Sequence, residues 1–224
     1  TTLTDYGDQA TLENALVYSD NIYFAKAALD IGADTLIEDF KAMGFGEEIP
    51  FELNLTSSTY DDDDSIDSDI QLADTGYGQG QLLVNPVHML SMYSLFVNEG
   101  SMIQPTLLYQ DGYTGKIWKE NVFSADAAET VKNDLIQVTE NPSGTGASAR
   151  IDGVSLLGKT GTAEIKDSQT DTDGIERGWF ICETAGDTDT PIAVVGMVED
   201  VKDKGGSSYV TEKVRNITAD YFSK

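Results

Sequence analysis

The sequence predicts an α+β fold, and three of its features carry that prediction. Apolar residues recur at helical spacing over most of the first 140 positions. Beyond residue 150 the texture turns to strand-forming runs separated by short polar turns. A final amphipathic stretch, 209–222, supplies a helix to lie on the antiparallel sheet so formed. No internal repeat or linker divides the 224 residues. They read as part of one domain, mainly helical over 1–150, with a sheet hairpin and C-terminal helix over 151–224.

Residues 11–18 read as a short helix ending at Ser19-Asp20-Asn21. Helical spacing resumes with Ile22, Ala25, Ala28 and Leu29 and stops at Gly32. The third helix takes Asp34 as its N-cap, places Leu36, Ile37, Phe40 and Met43 on one face, and ends at Gly44. Residues 45–75 read as loop. Within them Asp61 to Asp64 form a like-charge block expected to repel itself and stay solvated. Gly76-Tyr77-Gly78-Gln79-Gly80 is too rich in glycine for a regular element. Asn85-Pro86 starts a helix whose expected buried stripe is Val87, Leu90, Tyr93 and Val97, with Gly100 as its end.

Residues 106–123 suggest a short β-excursion with turns at Asp111-Gly112 and Thr114-Gly115. Ser124 opens a helix carrying Ala128, Val131, Leu135 and Val138. Asn141 to Ala147 is a loop of proline, serine and glycine. Strands follow at 154–165, 178–184 and 192–199, the last two joined through the turn-rich Gly186-Asp187-Thr188-Asp189. Gly205-Gly206-Ser207-Ser208 reads as a turn before the closing helix, whose inward residues are Val210, Val214, Ile217 and Tyr221.

A net charge of −25 and a pI near 4.1 argue against nucleic acid or an anionic membrane surface as a partner. No run approaches the roughly 20 apolar residues that cross a bilayer, and no signal peptide begins the chain. The protein is therefore expected to be cytosolic, or to carry an export segment upstream. The single Cys182 excludes an intramolecular disulfide and fits a small core residue in Trp179-Phe180-Ile181-Cys182.

The stretch with most chemistry is Gly158-Lys159-Thr160-Gly161-Thr162-Ala163-Glu164. In an extended strand Lys159 and Gly161 point to one face and Thr160 and Thr162 to the other. The bare Gly161 backbone lets a ligand lie close, and a cation, hydroxyls and N–H groups gather within a few ångströms. Such a group holds a carboxylate and stabilises a developing oxyanion. The plainer alternative is an edge strand with a solvated lysine. Ser19-Asp20-Asn21 is equally two-sided: capping of helix ends, or a hydroxyl that relays a proton beside an amide that binds a peptide.

Metal chemistry has little support. Asp171-Thr172-Asp173-Gly174 resembles part of a calcium loop, but the pattern's first and twelfth positions would be Gln169 and Phe180. His88 is the only histidine, so neither a zinc site nor a Ser-His-Asp triad is expected, and no cofactor is implied. His88 itself reads as packing or capping. Trp179 and Phe180 read either as the floor of a cleft or as core.

Taken together, Ser19-Asp20-Asn21 and Lys159-Thr160-Gly161 resemble two of the three motifs of the active-site-serine penicillin-interacting enzymes, in the expected order. The resemblance extends through Ser19 to Lys26, Met43 to Glu47, Gly76 to Gly80 with Asn85-Pro86, Asn98-Glu99-Gly100 and Gly158 to Glu164. These stretches look like class B penicillin-binding proteins. Leu72 to Pro105 and Gly178 to Ile181 look most like the low-affinity, methicillin-resistance-type branch.

The resemblance implies the penicillin-binding-protein/serine β-lactamase-like transpeptidase fold and a D,D-transpeptidase that cross-links peptidoglycan stem peptides outside the bacterial membrane. It also implies roles. Lys159 places positive charge in the cleft and exchanges protons with Ser19, and Asn21 binds the substrate's side-chain amide. Thr160 and Thr162 take the terminal carboxylate beside Gly161, and the Thr162 N–H supplies half of the oxyanion hole. β-Lactams occupy the same site.

The third motif, Ser-x-x-Lys, occurs nowhere in the chain. By the resemblance its serine lies upstream of Thr1, together with the first sheet strands, so the N-terminal part of the domain is expected to be missing and these residues alone to be inactive. The sheet is then expected to present an unpaired edge and to associate with another copy or a complementing segment. A monodisperse monomer in sedimentation would contradict that expectation. Within the same superfamily a β-lactamase or D,D-carboxypeptidase and a β-lactam sensor remain alternatives. A non-catalytic binding domain of the same fold is another.

Overall fold

A computed structural model describes residues 10–108, 111–165, 174–186 and 188–224. The Asp171–Asp173 segment and Asp187 of the Gly186–Asp189 turn lie outside the described residues. In chain order the α-helices are α1 (Leu12–Tyr18), α2 (Asn21–Ile31), α3 (Ala33–Ala42), α4 (Asp69–Gly76), α5 (Pro86–Tyr93), α6 (Ala125–Glu140) and α7 (Ser207–Phe222). The strands are β1 (Met102–Ile103), β2 (Ile117–Lys119), β3 (Leu156–Ile165), β4 (Ile175–Thr184) and β5 (Ala193–Val198). The chain divides into two compact units, one of Asp20–Val131 and one of Lys132–Lys224 with the described residues 10–19.

The first unit is helical around Ala28, Phe40, Phe45, Tyr60, Ile66 and Leu72. Asp20 caps α2, its carboxylate accepting the Ile22 and Tyr23 N–H groups. At α3 the expected Asp34 cap gives way to Gly32; Asp34 sits in the first turn, where a carboxylate complements the helix dipole. The stretch read as loop contains α4, with Ser68 accepting the Gln71 N–H and Leu72 buried. That helix is short and ends in glycine, so its periodic signal is weak. Gly76 belongs to it because α2 passes so close that a Cβ there would lie 2.5 Å from the Ala28 Cβ.

Of the expected α5 stripe Tyr93 is buried, but His88 and Ser91 face the core with it, and Val97 is 40% exposed. The α-helix stops at Tyr93 and a 3-10 turn over Ser94–Phe96 re-aims the residues that follow. His88 is a structural residue. Its Nδ1 lies 2.8 Å from Ser58 Oγ and its Nε2 2.8 Å from the Met43 carbonyl oxygen, and burial lowers its pKa. Of the acidic block, Asp61 departs from expectation: it is buried, accepting from the Gln71 amide and the Asp63 N–H, while Asp62 to Asp64 are exposed. Among the described residues no group of three or more His, Cys, Asp or Glu could hold a metal.

The second unit is a three-stranded antiparallel sheet of order β3-β4-β5 under α7. Direct pairs such as Thr160↔Phe180, Gly158↔Cys182 and Phe180↔Gly196 assign one face to α7. Leu156, Phe180, Cys182, Val210 and Val214 form its core. Gly178 and Gly196 let the helix close down, since a Cβ at Gly196 would sit 2.6 Å from Val214 Cγ2. Inside α7 the buried set is Val210, Thr211, Val214 and Thr218, whereas Ile217 is 57% exposed and Tyr221 also faces outward. Threonine can replace an apolar residue there because its hydroxyl bonds within the helix, as Thr218 does to the Val214 carbonyl at 2.9 Å. Cys182 is buried and free, and burial pushes its thiol up to about 11, which suits packing rather than reactivity. No described helix is long and apolar enough to cross a membrane.

Candidate active site

β3 is an edge strand, and its sequence explains how it is held. Gly158 lets it approach its neighbours closely: a Cβ would lie 3.0 Å from the Ile181 carbonyl oxygen and 3.2 Å from Thr139 Cγ2. The Thr139 hydroxyl donates to the Leu156 carbonyl at 2.7 Å, fixing the end of α6 to the start of the strand. Leu157, Lys159 and Gly161 share the face opposite α7 with Glu183, Ile181 and Trp179. Phe180, on the other face, is core rather than the floor of a cleft.

Lys159 and Ser19 meet. Ser19 closes α1 in the left-handed conformation, φ 54 and ψ 56, its N–H directed to the Ala15 and Leu16 carbonyls. That conformation is uncommon for a residue other than glycine and costs on the order of 1 kcal/mol. It turns the chain sharply at the residue whose hydroxyl receives the Lys159 Nζ donation at 2.8 Å. Nζ also donates to the Thr160 carbonyl at 3.1 Å. Partial burial disfavours the ammonium form and brings the Lys159 pKa down to about 8, so both protonation states are populated near neutrality. Charged, Nζ donates to Ser19; neutral, its lone pair can take the Ser19 proton.

Thr160 and Thr162 point to the opposite face from Lys159, as the strand alternation predicts. The Thr160 hydroxyl donates to Thr145 Oγ1 at 3.0 Å. Gly161 lies across from Trp179, and a Cβ there would be 3.3 Å from the Trp179 Cβ. Asn21 is the first residue of α2 and belongs to the other unit, so of the two motifs only Ser19 is brought against the lysine strand within one unit. Thr145 lies in the Asn141–Ala147 loop, where the sequence carries no signal for a site residue. Its meeting with Thr160 depends on how α6 packs.

The chain matches the penicillin binding protein transpeptidase domain over residues 1–219. It belongs to that family. Penicillin-binding protein 3 of Bacillus subtilis is 43% identical over 92% of this chain and 30% of its own length. The probable peptidoglycan D,D-transpeptidase PbpC of Pseudomonas aeruginosa is 28% identical over 78% of this chain and 30% of its length. The chain thus spans under a third of the length of these two relatives. In fold it is similar to PBPA of Mycobacterium tuberculosis, with a TM-score of 0.77 at 20% identity, covering 96% of this chain and 50% of that one. It is likewise similar to the D,D-transpeptidase domain of an Eggerthella lenta peptidoglycan glycosyltransferase, with a TM-score of 0.75 at 24% identity, covering 98% and 54%. The class B transpeptidase domain and the α+β penicillin-binding-protein fold expected from the sequence are met by these likenesses.

Proposed function

We propose that these residues are the C-terminal part of a peptidoglycan D,D-transpeptidase domain, with Ser19 and Lys159 as its proton-handling pair. The carrying observation is the 2.8 Å hydrogen bond from Lys159 Nζ to Ser19 Oγ, which joins segments 140 residues apart. A chance lysine on a solvated edge strand has no reason to meet a strained serine. The pKa near 8 suits transfer of a proton in either direction at neutral pH.

The attacking serine belongs to the longer protein, ahead of Thr1, and Ser19 serves as relay. The serine oxygen adds to the penultimate D-Ala carbonyl carbon and the C–N bond breaks. The departing D-Ala amine takes a proton through Ser19, and an acyl-serine ester remains. The amine of a neighbouring stem peptide then attacks the ester, forming the cross-link and restoring the serine hydroxyl. Thr160 and Thr162 hold the terminal carboxylate along the open edge of β3, Gly161 lets the peptide lie close, and the Thr162 N–H helps bind the oxyanion. Asn21 binds the stem-peptide amide. β-Lactams acylate the same serine, and the reaction takes place on the extracytoplasmic face of a bacterial membrane.

A fluorescent penicillin tests the reading. The full-length protein is expected to carry label that survives denaturation, and the 224-residue chain none. Absence of label on the full-length protein would favour a non-catalytic binding domain. Label lost within seconds to hydrolysis would favour a β-lactamase.

A further inference from the structure

We propose that Thr145 is a positioning residue for the carboxylate subsite, holding the Thr160 hydroxyl in the orientation that a ligand carboxylate needs. The inference rests on the reading of Thr160 given above.

Thr145 is built into place. Its N–H donates to the Val17 carbonyl at 3.0 Å, in the helix that ends at Ser19. The loop beneath it is tied twice to α6: Gly146 N–H donates to the Val138 carbonyl at 3.2 Å, and Asn141 N–H to the Gln137 carbonyl at 3.0 Å. Gly144 packs so tightly that a Cβ would lie 2.3 Å from the Val138 carbonyl oxygen. One rigid loop therefore touches the helix that presents Ser19 and the strand that presents Lys159 and Thr160. Yet the Thr145 side chain is exposed and its hydroxyl lies 3.0 Å from that of Thr160.

The chemistry follows from two hydroxyls. Each can donate one proton and accept at the same time. Without a ligand, Thr160 donates to Thr145. When a carboxylate arrives at Thr160, rotation about the two C–O bonds reverses the pair: Thr145 donates to Thr160 Oγ1, and the Thr160 proton turns to the ligand. No heavy atom moves. The second donation polarises the first and strengthens it.

The test measures acylation of the full-length protein by benzylpenicillin and by its methyl ester, which lacks the charged carboxylate. In Thr145→Val the ratio of the acid to the ester rate constant is expected to fall about tenfold, the scale of one hydrogen bond to a charged group's binding partner. Thr145→Ser, which keeps the hydroxyl, should restore the ratio to within about twofold. In a Thr160→Val background, Thr145→Val should add nothing further. An unchanged ratio in Thr145→Val overturns the inference, as does a full additional loss in the double variant or failure of serine to rescue. A wild-type protein that is not acylated at all overturns the transpeptidase reading as well, so the two failures are distinguishable.

Discussion

Replacing Lys159 with alanine is expected to lower covalent penicillin labelling of the full-length protein by about 10³-fold or more. The substitution removes both the charge beside β3 and the proton partner of Ser19, two effects that act at the same step. A drop of less than tenfold would show that Lys159 lies outside the chemistry. The pH dependence separates the two effects. Because the Lys159 ammonium is lost as pH rises through about 8, any contribution of its positive charge to carboxylate binding fades above that pH. Lys159→Arg keeps its charge across this range, so the fade in binding should vanish while proton transfer stays impaired.

Stability moves the other way. Between about 8 and the ordinary lysine value of 10.5, the unfolded chain binds a proton at Lys159 that the folded chain does not. Unfolding in that window takes up a proton, so the fold gains stability as pH rises, and Lys159→Ala should abolish the gain.

The largest structural effect is expected from Gly100→Ala. Gly100 has φ +82, its N–H donates to the Leu95 carbonyl, and a Cβ would lie 2.1 Å from the Phe123 carbonyl oxygen. Phe123 N–H in turn donates to the Gly100 carbonyl at 3.2 Å, so the backbone cannot retreat without losing that bond. A loss of about 3 kcal/mol or more is expected, read as a lower urea midpoint at unchanged slope. Gly46→Ala provides the comparison. It shares a positive φ, +78, but has nothing within 4 Å of the added carbon, so it should cost only about 1 kcal/mol. Equal losses for the two would mean that backbone conformation, not the Phe123 contact, sets the cost at Gly100.

Where the sequence misled, the cause was local in each case. Asp34 satisfies the composition of a cap, but the chain enters α3 two residues earlier through Gly32, in a conformation that asparagine or aspartate would adopt less readily. Uninterrupted 3.6-residue spacing would carry the α5 stripe on to Val97, and the 3-10 turn after Tyr93 rotates that residue away from it. In α7 a count of apolar residues selected Ile217, while the core took Thr218, whose polarity is hidden by its bond to Val214. Asp61 carries the same lesson: a carboxylate in an acidic run can still turn inward when an amide such as Gln71 meets it.

Periodicity and turn composition make most of the helices and the hairpin sheet legible, because these follow from spacing along the chain, whereas the family is legible only through the resemblance carried by two short motifs and the stretches around them. Contacts between distant residues do not follow from spacing. That Ser19 reaches Lys159, that Thr145 backs Thr160 and that burial draws the lysine toward neutrality were decided by tertiary packing. Each depends on which surfaces α1, α6 and β3 bury together, and the free energy of that burial is a property of the folded chain rather than of any segment of it.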